Sequence, residues 1–126
     1  GGEISRVMLA VKTVLADEED TPTLIFDEID TGISGITAGK VGDRLRLIGK
    51  SRQVICITHL PQIAATADHH FLIRKKAEGT SVRTDVEMLD EAASVEELAR
   101  LLGGANVTER VMESAKELKE LAKCER

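Results

Sequence analysis

Residues 23–35 read TLIFDEIDTGISG. An apolar run leads directly into adjacent carboxylates, Asp27 and Glu28, with Asp30 close behind and Gly32 and Gly35 marking a turn. Such a pair can be a metal ligand, a proton acceptor or ordinary surface charge. A second apolar run, QVICIT, ends at Thr58 and is followed by His59. In an open parallel sheet, ligands bind beyond the carboxyl ends of the strands. If both runs are neighbouring parallel strands, Asp27, Glu28, Thr58 and His59 converge on one edge. A carboxylate directly after a buried strand can hold hydrated Mg²⁺ through oxygen. The next carboxylate, on the other side of the chain, can orient or deprotonate a water. A neutral imidazole can sense or stabilise charge on a phosphate. Together this is the division of labour in nucleotide hydrolysis, where catalysis is mostly positioning plus electrostatics. Taken singly, an Asp-Glu pair is usually the start of a solvated loop, and a lone His is usually structural. Convergence on one edge tips the balance toward function.

The elements that must position these groups are readable from hydrophobic spacing. From Glu3 to Ala16, the residues Ile4, Val7, Met8, Val11, Val14 and Leu15 recur three and four apart, an amphipathic helix stripe. Asp17–Pro22 is a polar break. TLIF is continuously apolar, which predicts a strand buried on both faces. Ala38, Val41, Leu45 and Ile48 form a second helix stripe ending near Gly49, and residues 53–58 form a second buried strand. Strand, helix, strand at this spacing is a βαβ unit with parallel strands. Farther on, residues 69–89 predict two strands around a turn at Gly79, with one face of the second strand wet. Ser94 and Glu97 have the spacing of a capping box, opening a helix that Gly103 and Gly104 close. Thr108 can cap a last helix with the stripe Val111, Ala115, Leu118 and Leu121 or Ala122.

Composition sets limits on function. The 126 residues suffice for a single domain with a modest core. A net charge of -5 gives no general pull toward nucleic acid or anionic membrane. Aromatics are 2%, with no Trp or Tyr, which argues against a base-stacking platform. No apolar run reaches the length of a membrane span. Cys56 and Cys124 lie far apart, so a disulfide framework is not expected and a reducing cytoplasm is the default. Arg44, Arg46, Lys50, Arg52 and the run Arg74–Lys76 could touch phosphates, although ordinary solvated faces explain them better.

Two glycine features need separating. GITAGK, from Gly35 to Lys40, superficially resembles a phosphate-binding G-x-x-x-x-G-K-[ST] loop. Only three residues separate Gly35 from Gly39, and Val41 follows Lys40 where a hydroxyl is required. Gly1 and Gly2 instead stand directly before a helix, where backbone N–H groups and the dipole can cradle a phosphate. They could equally be two leading glycines without a role.

The order of these pieces carries a family resemblance. GGEISR resembles the end of an ABC-type signature motif. TLIFDE resembles a Walker B motif with its catalytic Glu, DTGISG a D-loop, and ITHLPQIAATAD a switch-histidine loop. ABC transporters and SMC proteins share that order. The combination SRVMLA, FDEIDTGISG and THLPQIAA is narrower and resembles the RecN family of bacterial DNA repair proteins, most specifically from Gly1 to Asp68. The resemblance implies an α/β, P-loop NTPase-like fold: the C-terminal lobe of an ABC-type ATPase head, with parallel strands, a crossover helix, a hairpin and C-terminal helices. It implies that ATP and Mg²⁺ are used by the full-length protein. Asp27 would help hold Mg²⁺, Glu28 would polarise the attacking water, and His59 would contact the γ-phosphate. Asp30 would lie in the D-loop at a dimer interface. Gly1 and Gly2 would face the γ-phosphate bound by the opposite protomer. The implied partners are the N-terminal half of the same head, a second head in a homodimer, and DNA through the whole assembly, with no membrane. A bacterial cytoplasmic, nucleoid-associated setting and recombinational double-strand-break repair follow from the same resemblance. The signature's Leu and Ser and any Walker A segment are missing from these residues, so the 126 residues alone are expected to be inactive. Another ABC-type head, or an interaction module that retains the fold, are the alternative readings.

Overall fold

The computed structural model describes residues 1–15 and 21–124. They gather into two compact units, Gly1–Thr66 and Ala67–Arg126. In the first unit, helix α1 (Gly2–Val14) is followed by strand β1 (Thr23–Phe26), helix α2 (Gly35–Gly49), strand β2 (Gln53–Cys56) and a single turn, α3 (Pro61–Ala64). The expected helix end at Ala16 and the polar break at Asp17–Asp20 lie outside the described residues. β1 and β2 pair in parallel, with Leu24 opposite Val54 and Phe26 opposite Cys56. The βαβ expectation is met. Ala38, Val41, Leu45 and Ile48 of α2 are all buried and close over Leu24 and Phe26, with Leu9, Ile29 and Ile63 completing the core.

Two expectations about burial are corrected. TLIF is buried on one face only, because Ile25 is 68% exposed while Leu24 and Phe26 are inside. Ile55 and Ile57 are likewise exposed. A parallel sheet normally has both faces covered, and the described residues supply a layer for only one. Helix α1 differs in the same sense. Its expected apolar stripe, Ile4, Val7, Met8, Val11 and Val14, points outward, and the face toward the core carries Gly2 and Leu9. This unit's own core takes the narrow face of α1 and leaves the wide apolar face unpartnered.

The second unit contains a hairpin and two helices. β3 (Phe71–Glu78) pairs antiparallel with β4 (Ser81–Met88) around Gly79, whose φ of 63° suits the turn. Helix α4 (Glu91–Gly103) packs on α5 (Glu109–Cys124). Asp90, not Ser94, caps α4: its Oδ1 accepts from the Ala93 N–H at 2.8 Å. Ser94 is instead buried within the helix and bonds His70 Nδ1 at 2.8 Å. The cap lies four residues upstream of Ser94, so the Ser94–Glu97 pair falls one turn inside the helix. Gly104 ends α4 with a φ of 62°, and Thr108 Oγ1 accepts from the Val111 N–H at 3.3 Å to start α5. Of the two alternatives for the last stripe position, Ala122 is buried and Leu121 is exposed.

Candidate nucleotide-hydrolysis edge

The parallel ladder brings the two candidate strand ends side by side. Phe26 pairs with Cys56, and the Ile57 N–H donates to the Phe26 carbonyl at 2.9 Å, so the chain leaves both strands in register. Asp27 and Glu28 follow on one strand, Thr58 and His59 on the other. Asp27 and Glu28 are exposed, and the His59 side chain is 74% exposed. The Cys56 thiol reports how close the ends are. Burial pushes its pKa up to about 12, and the negative charges of Asp30 and Asp27 both reinforce the shift.

Glu28 has a φ of 58°, the one positive value among the described non-glycine residues. A left-handed backbone at an L-residue costs about 1–2 kcal/mol. It is held there from both sides: the Glu28 N–H donates to Asp27 Oδ1 at 2.9 Å, and the Glu28 carbonyl accepts from the Thr31 N–H at 3.2 Å.

Asp30 turns the other way. It is 4% exposed, and its Oδ2 accepts from the Thr58 hydroxyl at 2.6 Å and the His59 backbone N–H at 2.9 Å. His59 Nδ1 lies 3.0 Å from the same oxygen. Burial works to raise the Asp30 pKa, but the Thr58 and His59 hydrogen bonds and the nearby imidazole outweigh it, leaving the carboxyl below its ordinary value. Of the residues singled out from sequence, Asp30 and His59 are therefore in direct contact.

The first turn of α1 is fastened to the same loop. Ser5 Oγ donates to the Asp27 carbonyl at 3.2 Å. Arg6 Nη1 donates to the carbonyls of Ile29 at 3.2 Å and Thr31 at 2.8 Å. Gly2 is buried against the loop, and a Cβ there would lie 2.5 Å from the Glu28 carbonyl oxygen and 2.8 Å from Thr31 Cβ. Gly1, by contrast, has open space around it. Sequence reasoning missed Ser5 and Arg6. Their signal was present: with Gly2 and Leu9 they mark a narrow face of α1, at helical spacing, opposite the wider apolar stripe.

No group of three or more His, Cys, Asp or Glu side chains among the described residues is arranged to hold a metal ion. An exposed single carboxylate at a strand end nevertheless suits Mg²⁺, which keeps most of its waters and takes one or two carboxylates together with substrate phosphates. Asp27 fits that demand. Some of the basic residues weighed for phosphate contact are paired at the surface. Lys76 pairs with Asp85 at 3.2 Å and Arg46 with Asp43 at 3.5 Å. No helix of the described residues is long and apolar enough to cross a membrane.

No protein-family model matches the chain. Individual proteins do. The DNA repair protein RecN of Vibrio cholerae is 48% identical over 118 residues, 94% of this chain and 21% of that protein. RecN of Halalkalibacterium halodurans is 48% identical over 122 residues, 97% of this chain and 22% of the relative. RecN of Streptomyces coelicolor is 44% identical over all 126 residues, again 22% of the relative. The chain thus spans about a fifth of the length of the curated relatives it matches. A solved structure from work on ATP-driven dimerization and DNA-stimulated activation of SMC ATPases superposes with a TM-score of 0.60 at 23% identity, covering 84% of this chain and 63% of that one. The fold is accordingly that of an SMC-type, P-loop NTPase-like ATPase head. Along nearly its whole length, the chain is similar to one part of DNA repair proteins named RecN, at 44–48% identity.

Proposed function

We propose that these residues form part of an ATP-hydrolysing head that acts, in the full-length protein, in recombinational repair of DNA double-strand breaks. The observation that carries the reading is Glu28, an exposed carboxylate held in a strained backbone conformation just past the end of a parallel strand, with His59 just past the end of the strand paired to it. Strain of this kind persists where the surroundings over-determine it, and it concentrates at functional sites. Glu28 accepts a proton from, or orients, the water that attacks the γ-phosphate. His59 contacts that phosphate from the second strand. Asp27 would help hold Mg²⁺, which would supply charge neutralisation at the phosphate oxygens. Gly1 and the free N–H groups of the first α1 turn face the phosphate bound by the opposite protomer. Gly2 belongs to the same turn, and its missing side chain is also what lets α1 sit on the Glu28 carbonyl.

The partners follow from what is uncovered. The outward stripe of α1 and the exposed Ile25, Ile55 and Ile57 are too apolar to remain in water. The remainder of the same head covers them, a second head completes the nucleotide site, and DNA engages the assembly. The work of the whole protein is placed in the bacterial cytoplasm, on the nucleoid. His59→Ala in the full-length protein tests the phosphate contact. Turnover and ATP affinity should fall while ADP affinity holds, because ADP lacks the γ-phosphate. Equal loss of ATP and ADP affinity would mean that His59 only supports the strand end.

A further inference from the structure

We propose that Asp30 is a positioning residue: its buried carboxylate fixes the His59 ring with the proton on Nδ1, leaving Nε2 as the nitrogen that works at the phosphate. The inference rests on the reading of His59 given above and assigns Asp30 a task inside its own protomer.

The geometry supports this over direct nucleotide contact. Asp30 is 4% exposed, so a nucleotide has no access to its carboxylate. Its Oδ2 already receives the Thr58 hydroxyl at 2.6 Å and the His59 N–H at 2.9 Å, with His59 Nδ1 at 3.0 Å. An ionised carboxylate only accepts hydrogen bonds, so the imidazole nitrogen beside it must be the one bearing hydrogen. Nε2 lies on the far side of the ring, and the ring is 74% exposed. A hydrogen-bonded partner on one imidazole nitrogen sets the tautomer and orientation of the other. Thr58 makes the arrangement rigid. Its hydroxyl donates to Asp30 and accepts from the Leu60 N–H at 3.1 Å, so one side chain fixes both the carboxylate and the backbone that carries His59. The same oxygen grips the main chain and the ring of one residue, which leaves the ring little freedom to turn.

Four full-length proteins test the proposal: wild type, Asp30→Ala, His59→Ala and the double variant. Selective ¹⁵N-histidine labelling reads the His59 tautomer, with the signal assigned by its loss in His59→Ala. Wild type should show hydrogen on Nδ1, and Asp30→Ala should shift the population toward Nε2. Asp30→Ala should slow ATP turnover about 10-fold or more, the scale of removing a group that orients a working imidazole, with ADP affinity unchanged. It should add nothing on the His59→Ala background. Asp30→Asn, which keeps an oxygen where Oδ2 stands, should restore most of the turnover. An equal further loss on the His59→Ala background would overturn the proposal, since Asp30 would then act on the fold and not through His59. Wild-type hydrogen on Nε2 would overturn it too, and that reading does not depend on Asp30→Ala folding. An unchanged tautomer in Asp30→Ala sinks the Asp30 assignment while leaving the phosphate role of His59 intact. Wild-type turnover in His59→Ala sinks that phosphate role, and with it the purpose assigned to Asp30.

Discussion

Cys56 shows how a side chain with no part in the proposed chemistry still reports on it. The thiolate is the reactive form of cysteine, and burial together with the Asp30 and Asp27 charges pushes the Cys56 thiol up to about 12. At pH 8 it is therefore almost wholly protonated. Alkylation by iodoacetamide, followed by mass spectrometry, should label the exposed Cys124 and leave Cys56 unmodified in the native protein. Neutralising a carboxylate should then matter: Asp27→Asn should make Cys56 label faster. Rapid labelling of Cys56 in the native protein would mean that the two strand ends are not as close, or as negative, as described.

Helix α1 and the loop after β1 behave as one mechanical element. Ser5, Arg6 and Gly2 all act on the backbone of residues 27–31, the stretch that holds Glu28 in its left-handed conformation. Gly2→Ala places a Cβ 2.5 Å from the Glu28 carbonyl oxygen, so helix or loop must move. Overpacking of this sort costs about 1–3 kcal/mol. Gly1→Ala meets nothing within 4 Å and should leave stability unchanged. Thermal melts of the two variants check the difference, and equal midpoints would argue against the close approach. The elements themselves were legible in the sequence wherever a stripe faced the core of its own unit. The α2 stripe, the parallel pairing and the hairpin all followed from spacing. The α1 stripe was found, but not what covers it, because periodicity reports an apolar face without naming its partner. Asp27, Glu28 and His59 were legible because strand ends place them. The Asp30 clamp was not: the same side chain in the same loop suits an outward ligand or an inward acceptor, and only burial tells them apart. Ser5 and Arg6 escaped because polar residues on a narrow helix face look solvated until a carbonyl is seen opposite them.

On the scale of the molecule, stability and activity depend on different groups. In the second unit, burial of His70 and the nearby Lys119 lower its pKa, with Glu97 opposing, so the folded protein favours the neutral ring. A folded pKa below the unfolded value means that the native state binds fewer protons. Its contribution is therefore whole above about 6.5 and is lost as the pH falls through the folded value. Denaturation midpoints should drop between neutral and mildly acidic pH, and His70→Gln should flatten that drop. A drop of the same size in the variant would place the acid sensitivity elsewhere.

In the proposed reading, activity rests on the strand edge of the first unit, with Glu28 at its centre. The most direct measurement is ATP turnover and ATP binding by full-length Glu28→Gln. Glutamine keeps the size and the hydrogen-bonding shape but cannot take a proton from the attacking water. Turnover should fall by about 10²- to 10⁴-fold, ATP affinity should remain near wild type, and ATP-bound dimers should accumulate on gel filtration. Near-normal turnover by the Glu28→Gln protein would contradict the account, reducing Glu28 to a strained loop residue and removing the hydrolytic role from this edge of the sheet.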